Sequence, residues 1–241
     1  MARLGTAGRT PLTRERALRA AVELADEEGV AAVSMRRLAA RLDVVPMALY
    51  KHVADKDDLL GGMVDIVVAT YAHEPVDEGW KDAVRGRILA ARRALLAHPW
   101  ARQVIEARTV RTPTVLAYMD SLAGTFIAGG FSADLTHHVM HALGHRIWGF
   151  SPEAFDDPTP LAETATPVDP VAREETMRRL EQVYPHIAAI TRVATEGDPD
   201  RARQGCDEQF EFEFTLDLLL DAFERLHDSG WSSRARRPSA P

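Results

Sequence analysis

Cysteine is nearly absent from this chain: Cys206 stands alone among 241 residues. One thiol excludes an intrachain disulfide framework and a cysteine-based metal cluster, and it suits a reducing compartment. With no flanking base it reads as inert rather than redox-sensing. Long apolar runs are missing too, since nothing approaches the ~18 consecutive apolar residues of a membrane helix. The opening residues, MARLGTAGRTPLTRERA, lack the apolar segment of a secretory signal. These absences point to a cytoplasmic protein with no membrane partner. Catalytic signatures are equally scarce. There is no Gly-x-Ser-x-Gly elbow, no phosphate-binding Gly-rich loop and no His-Glu-x-x-His pair. Neither an enzyme nor a cofactor is expected. Alternating β-branched runs are few and no repeat of fixed period is visible, so the expected fold is all-α and not a solenoid.

Apolar residues at 46% are ample for a core, and charged residues at 27% keep the surface solvated. The net charge of −7 argues at first against nucleic acid. Its distribution argues the other way. Up to Lys56 the chain carries ten Lys/Arg against seven Asp/Glu, which concentrates all of the negative excess in the remainder. A basic head on an acidic body is the asymmetry expected when one end meets phosphate.

The head has a pattern to match. Thr13 caps a first helix that stops at Gly29. Ser34 caps a second, in which Leu38, Ala39 and Leu42 make one packed face. Leu42 to Val45 forms a turn, and Pro46 opens a third helix, expected to run to Val53, at a position where the missing N–H costs nothing. Ala39 is small enough to let two helices cross closely. This is the geometry of a helix-turn-helix, whose later helix enters the DNA major groove. Asp55 then caps a long helix through Tyr71 that joins head to body.

The run SMRRLAARLDVVPMALYKHVADKDDLL closely resembles the N-terminal domain of the TetR family of bacterial transcriptional repressors, with LYKHVADKDDLL its most specific part. EQFEFEFTLDLLLDAFERL is similar to the last helix of the tetracycline-repressor branch. The resemblance implies a homodimer that reads a palindromic double-stranded DNA operator and is released by a small-molecule effector. Its place would be the cytoplasm, on the nucleoid when bound to operator. It also implies that Tyr50 and Lys56 touch backbone phosphate. DNA contact is expected at Arg36, Pro46, Met47, Ala48, Tyr50, Lys51, His52 and Lys56. Pro46, Met47 and Ala48 offer no hydrogen bonds, so base selection should lean on Arg36 and Lys51. The chain departs from the family pattern at Asp43, where Gly is common, and at Val45, where a capping residue is common. Two readings from other classes are an all-α enzyme with a His-based site and an architectural DNA binder without an effector. The missing catalytic signatures weigh against the first, and a large helical body weighs against the second.

The expected organisation is a disordered arm (1–11), a DNA-binding head (12–72), a helical ligand-binding and dimerisation body (73–228) and a disordered tail (229–241). Body helices are expected over 77–97, 100–109, 112–128, 132–150, 172–195 and 203–227. Five prolines between 151 and 172 mark a loop placed to cover a cavity entrance. In the last helix, apolar residues spread over about 200° rather than the ~100° that packing on a single core needs. Burial on two sides follows, with the helices at 132–150 and 203–227 joining two subunits. The 132–150 helix sets Leu135, Val139 and Leu143 opposite His137, His138, His141 and His145. Histidines at i and i+4 suit a metal, yet no further ligand completes a site and no metal is expected; an interface or pocket lining fits them better. A pocket enclosed by helices between Asp77 and Phe150 is expected at Trp100, Gln103, Tyr118, Met119, His141, His145, Arg146 and Trp148. Its effector should be mostly apolar, held by a few hydrogen bonds and not highly charged.

Overall fold

A computed structural model describes residues 11–71, 79–108, 110–148, 175, 178–179, 181–194 and 207–235, and among them there are helices and turns but no strand. Among the described residues the bounded α-helices are α1 (Arg14–Glu28), α2 (Met35–Arg41), α3 (Pro46–Leu49), α4 (Lys56–Thr70), α5 (Trp80–Ala97), α6 (Pro99–Ala107), α7 (Pro113–Ala128), α8 (Ala133–Trp148), α9 (Pro185–Ala194) and α10 (Glu208–Asp228). The chain divides into two compact units, Met1–Gly149 with Leu220–Pro241, and Phe150–Leu219.

In the first unit the head forms where local signals and apolar spacing agree. Thr13 Oγ1 accepts from the Arg16 amide at 3.1 Å, which starts α1, and Gly29 at φ +80° ends it. Leu18, Ala21, Val22 and Ala25 are buried along its inner face. Ser34 Oγ caps α2 by accepting from the Arg37 amide at 3.3 Å. The turn to α3 closes with the Val44 amide donating to the Ala39 carbonyl at 3.0 Å, and Asp43 takes the left-handed conformation at φ +53°. That conformation is the one for which the sequence would favour Gly, and Asp tolerates it better than most residues. α3 is shorter than expected. Its helix ends at Leu49, and Tyr50 to His52 continue as turn.

α4 crosses α1 at close range. A Cβ on Gly62 would lie 2.6 Å from Leu18 Cδ2, so only glycine permits this approach. The other side of α4 packs on α5, α6 and α7, so this helix is shared by head and body. An aromatic cluster fixes the far end of the body, with Phe131 5.2 Å from Phe126 and 4.7 Å from Trp80, ring to ring. Phe126 also meets Phe223 at 6.5 Å, drawing the last turns of α10 into this core.

The expectation of a disordered tail is corrected over 229–235. Gly230 turns the chain at φ +64°, and Ser233 to Ala235 form a 3-10 turn. Asp134 at the start of α8 accepts from the Ser233 amide at 2.7 Å, from Ser233 Oγ at 2.7 Å and from Ser232 Oγ at 3.2 Å. These bonds hold the Asp134 carboxyl below its ordinary range. Trp231 lies edge-on to His138 at 5.2 Å. The tail docks because one carboxylate meets three donors, a pairing between distant positions that composition does not reveal.

In the second unit α9 follows a break at Tyr184 and buries Ala188 while Ile187, Ile190 and Val193 stay exposed. On α10 the apolar arc splits in two. Phe212, Leu216, Leu220 and Phe223 are buried, and Phe210, Phe214 and Leu218 are exposed. The expected arm over 1–10 and the proline-rich loop at 151–172 lie outside the described residues.

Candidate functional site

The head presents one exposed face in which cations and apolar groups alternate. Val45, Met47 and Tyr50 are among the largest exposed apolar side chains of the chain, Met47 at 70% exposure. Arg36, Pro46, Lys51 and Lys56 are exposed beside them, and Ala48 and His52 are half-buried. The arginines of α2 are sorted by their partners. Arg37 pairs with Glu28, and Arg41 bonds Glu27 at 2.6 and 2.7 Å, which pushes the Glu27 carboxyl below its ordinary range. Those two hold α2 on α1. Arg36 has no such carboxylate and is left to face outward.

The far edge of this face is organised by Asp58. Its carboxylate takes Arg14 Nη1 at 2.8 Å and Nη2 at 2.6 Å, and the Ala54 amide at 2.8 Å. Arg14 in turn donates to the His52 carbonyl at 2.9 Å, tying the turn after α3 to the start of α4. The Arg14 bond, assisted by Ala54, holds the Asp58 carboxyl below its ordinary value against the opposing cost of burial. Asp55 caps α4 by accepting from the Asp58 amide at 2.8 Å, which puts Lys56 in the first turn on the outer surface.

Inside the body lies a cavity of about 530 Å³ between α4, α6, α7 and α8. Its wall is mostly apolar, with Val64, Val68, Ile105, Val115, Leu122 and Leu143. Polar character comes from Tyr71, Glu106, Arg108, Arg111, Thr112, Tyr118 and His141. Among the expected pocket residues the structure brings Tyr118, Met119 and His141 together here. It does not bring Trp100 or Gln103. Trp100 is buried elsewhere, its Nε1 donating to Asp26 Oδ1 at 2.6 Å, with His98 Nδ1 on the same oxygen at 2.8 Å. The buried indole keeps its N–H satisfied by reaching the Asp26 carboxylate at the surface of α1. Gln103 points to solvent. The side chains of His145, Arg146 and Trp148 lie outside the described residues. Among the described residues no group of three His, Cys, Asp or Glu could hold a metal.

Three residues that matter here were missed in the sequence. Tyr71 ends the apolar run of α4 and meets Tyr118 edge-to-face at 5.0 Å. Arg108, past the end of α6, lines the cavity and reaches Asp57 on α4. Arg87 lies over the Tyr118 ring, 5.3 Å from its centroid. The last one carried a readable signal, since it falls on the buried stripe of α5 between Val84, Ile88 and Ala91.

The chain matches the family model for bacterial regulatory proteins of the tetR family over residues 17–63 and the tetracyclin repressor-like C-terminal domain over 74–226. It belongs to the TetR family. An HTH-type transcriptional regulator of Saccharopolyspora erythraea is 38% identical over 59% of this chain, a match that spans 65% of that protein's length. The class C tetracycline repressor protein of Escherichia coli is 26% identical over 89% of this chain and 92% of its own. The same fold recurs in ActR of Streptomyces coelicolor, solved with actinorhodin (TM-score 0.65, 23% identity, 90% of this chain and 98% of that one). TetR-family proteins such as these relatives are transcriptional regulators and not enzymes. No helix among the described residues is long and apolar enough to cross a membrane.

Proposed function

We propose that this chain is a ligand-responsive transcriptional repressor that binds a palindromic operator as a homodimer and is released when a small molecule fills the body cavity. One observation carries the reading: the cavity and the DNA-facing surface share α4. Arg108 lines the cavity and grips Asp57, the neighbour of Lys56, while Thr112, also in the wall, donates to Asp65 two turns further along the same helix. A ligand that displaces the 108–112 segment therefore moves α4, and α4 carries the head. The ligand acts only through its preference for the displaced form.

In this reading residues 12–72 are the DNA-binding head and 73–228 the effector and dimerisation body. Arg36, Pro46, Met47, Ala48, Tyr50, Lys51, His52 and Lys56 meet DNA, with Lys56 and Tyr50 on phosphate and Arg36 and Lys51 reading guanine. The exposed apolar stripe of α10 supports a subunit contact. That ActR, which has the same fold, was solved in complex with actinorhodin supports a small-molecule site in this fold. The test is a gel-shift against DNA flanking the chain's own gene, repeated with candidate ligands. A retarded band abolished by a ligand that leaves the fold intact supports the reading. No retardation of any flanking duplex at micromolar protein rejects it.

A further inference from the structure

A folded chain seldom leaves buried polar atoms without partners, because each costs free energy. Among the described residues five such side-chain atoms occur: Tyr71 Oη, Arg87 Nε, Arg108 Nε, Tyr118 Oη and Thr136 Oγ1. Three of the five, on Tyr71, Arg108 and Tyr118, belong to residues lining this cavity, and Arg87 lies directly behind it, over the ring of Tyr118. The clustering is not what scattered packing faults would give.

The chemistry of the cluster is one-sided. Burial pushes the Tyr71 hydroxyl well above the ordinary tyrosine range and raises that of Tyr118 against the opposing pull of Arg87, so both remain neutral O–H groups able to donate. Arg87 is 7% exposed and its Nη1 donates only to Ser121 Oγ at 3.1 Å and Thr125 Oγ1 at 3.4 Å. Among the described residues it meets no carboxylate, although a buried guanidinium ordinarily demands one. Arg108 is satisfied at its tips by Asp57 but not at Nε. Arg111 adds a further cation to the wall. Glu106, the carboxylate in the wall, is engaged by Arg102 at 2.8 Å. Among the described residues the wall thus holds cations and unmet hydroxyls with no uncommitted carboxylate, and the rest of the lining is mostly apolar.

We propose that the effector of this cavity is an acidic lipophile, an apolar skeleton with one ionised oxygen group, received by the wall residues Tyr71, Tyr118 and Arg108, with the buried Arg87 guanidinium behind the Tyr118 ring. The inference rests on the reading of the cavity as the effector site and adds the chemical class. A carboxylate or phenolate oxygen brings the acceptor and the negative charge that the wall lacks, and the apolar lining takes the skeleton.

Two matched probes test it on the full-length protein. Anthracenecarboxylate and anthracenemethanol, substituted at the same ring carbon, share size and differ in charge, and ring fluorescence reports their binding. The acid should bind at least about tenfold tighter than the alcohol, the scale of a desolvated charge-assisted hydrogen bond. Arg87→Met, which removes the buried cation behind Tyr118, should lower that preference and leave the alcohol nearly unaffected. Tyr71→Phe and Tyr118→Phe should reduce it in steps and melt no lower than the parent, because each removes a buried hydroxyl that has no partner. Should Arg87→Met fail to fold, the two tyrosine variants carry the test. Equal affinity for the two probes, or an acid preference that survives both tyrosine replacements, overturns the acidic class. In that case alcohol binding blocked by Val115→Trp, which fills the cavity, leaves the cavity reading standing. Binding of neither probe, or binding indifferent to Val115→Trp, overturns the cavity reading and this inference with it.

Discussion

Arg108 Nη1 donates to the Asp57 carbonyl at 2.8 Å and to Asp57 Oδ1 at 2.9 Å, so one guanidinium of the cavity wall holds the first turn of α4 beside Lys56. The arginine is 16% exposed and the aspartate 78%. Pairs this open to water contribute ~1 kcal/mol or less to stability. Arg108→Met should therefore shift the melting temperature by only a few degrees, about what ~1 kcal/mol does in a chain of this size. Operator affinity should fall several-fold, because Lys56 loses its fixed register. A double cycle with Asp57→Ala isolates the pair. Unchanged operator affinity in Arg108→Met would show that this contact does not position the head.

Lys56 and Arg36 should fail in different ways. With Lys56 on phosphate as proposed, Lys56→Ala should weaken all duplexes about equally and lower the slope of log K against log salt by about one. With Arg36 as the proposed base reader, Arg36→Ala should lower the ratio of operator to unrelated DNA by ~1–3 kcal/mol with little change in slope. Titrations at several salt concentrations separate the two. A selective Lys56 effect, or a non-selective Arg36 effect, sends the assignment back.

Much of the head was legible because its signals are local. Thr13, Gly29, Ser34, Pro46 and Asp55 each mark a boundary through a cap or a fixed φ, and each boundary is where the structure puts it within a residue or two. The apolar sides of α8 and α10 were legible for the same reason, since their period is read along one helix. What was not legible depends on pairs distant in sequence. Trp100 reads as a cavity aromatic until Asp26 is seen beneath it, and the tail reads as disordered until Asp134 is seen to collect three donors. The cavity wall was half visible: Tyr118, Met119 and His141 stand out as polar or bulky residues on apolar helices, whereas Arg108 owes its place to where α6 ends against α4.

Asp58 gives the head a pH dependence of known sign. Its carboxyl is held below the ordinary value by Arg14, so it contributes stability that is present above the unfolded value and lost as pH falls through the folded one. Asp58→Asn should cost most at neutral pH, and the gap to the parent should close from about pH 4 downward. Circular dichroism melts across that range follow it. A gap that widens on acidification would mean that the ion pair with Arg14 is not what depresses the carboxyl.

Trp100→Phe tests a joint between head and body. The substitution keeps the ring but removes the Nε1 donor to Asp26, leaving that carboxylate to His98 alone. A lost charge-assisted bond of this kind costs ~1.5–3 kcal/mol. Binding of anthracenecarboxylate should not change, because Trp100 does not line the cavity. A stability loss with intact probe binding is the expected result; probe binding lost at an unchanged melting temperature would return Trp100 to the effector site.

Phe210, Phe214 and Leu218 recur at i, i+4 and i+8 on α10 and are all exposed, with the two phenylalanine rings 6.3 Å apart. Water contact along three such groups is unfavourable by roughly 25 cal/mol for each Å², and a second copy of the chain meeting the stripe removes it. In the proposed homodimer two heads on one palindrome would need that contact, which would couple subunit exchange to operator affinity. Phe214→Glu with Leu218→Glu should convert the dimer to a monomer in sedimentation without unfolding the helix, since neither side chain is part of the buried row at Phe212, Leu216 and Leu220. The melting temperature of the parent should rise with protein concentration and that of the double variant should not. Operator binding should weaken steeply, with roughly half the salt slope, because one head neutralises half as many phosphates. A double variant that remains dimeric would move the interface to another surface, and a parent that is monomeric at micromolar concentration with full operator affinity would reject the homodimer.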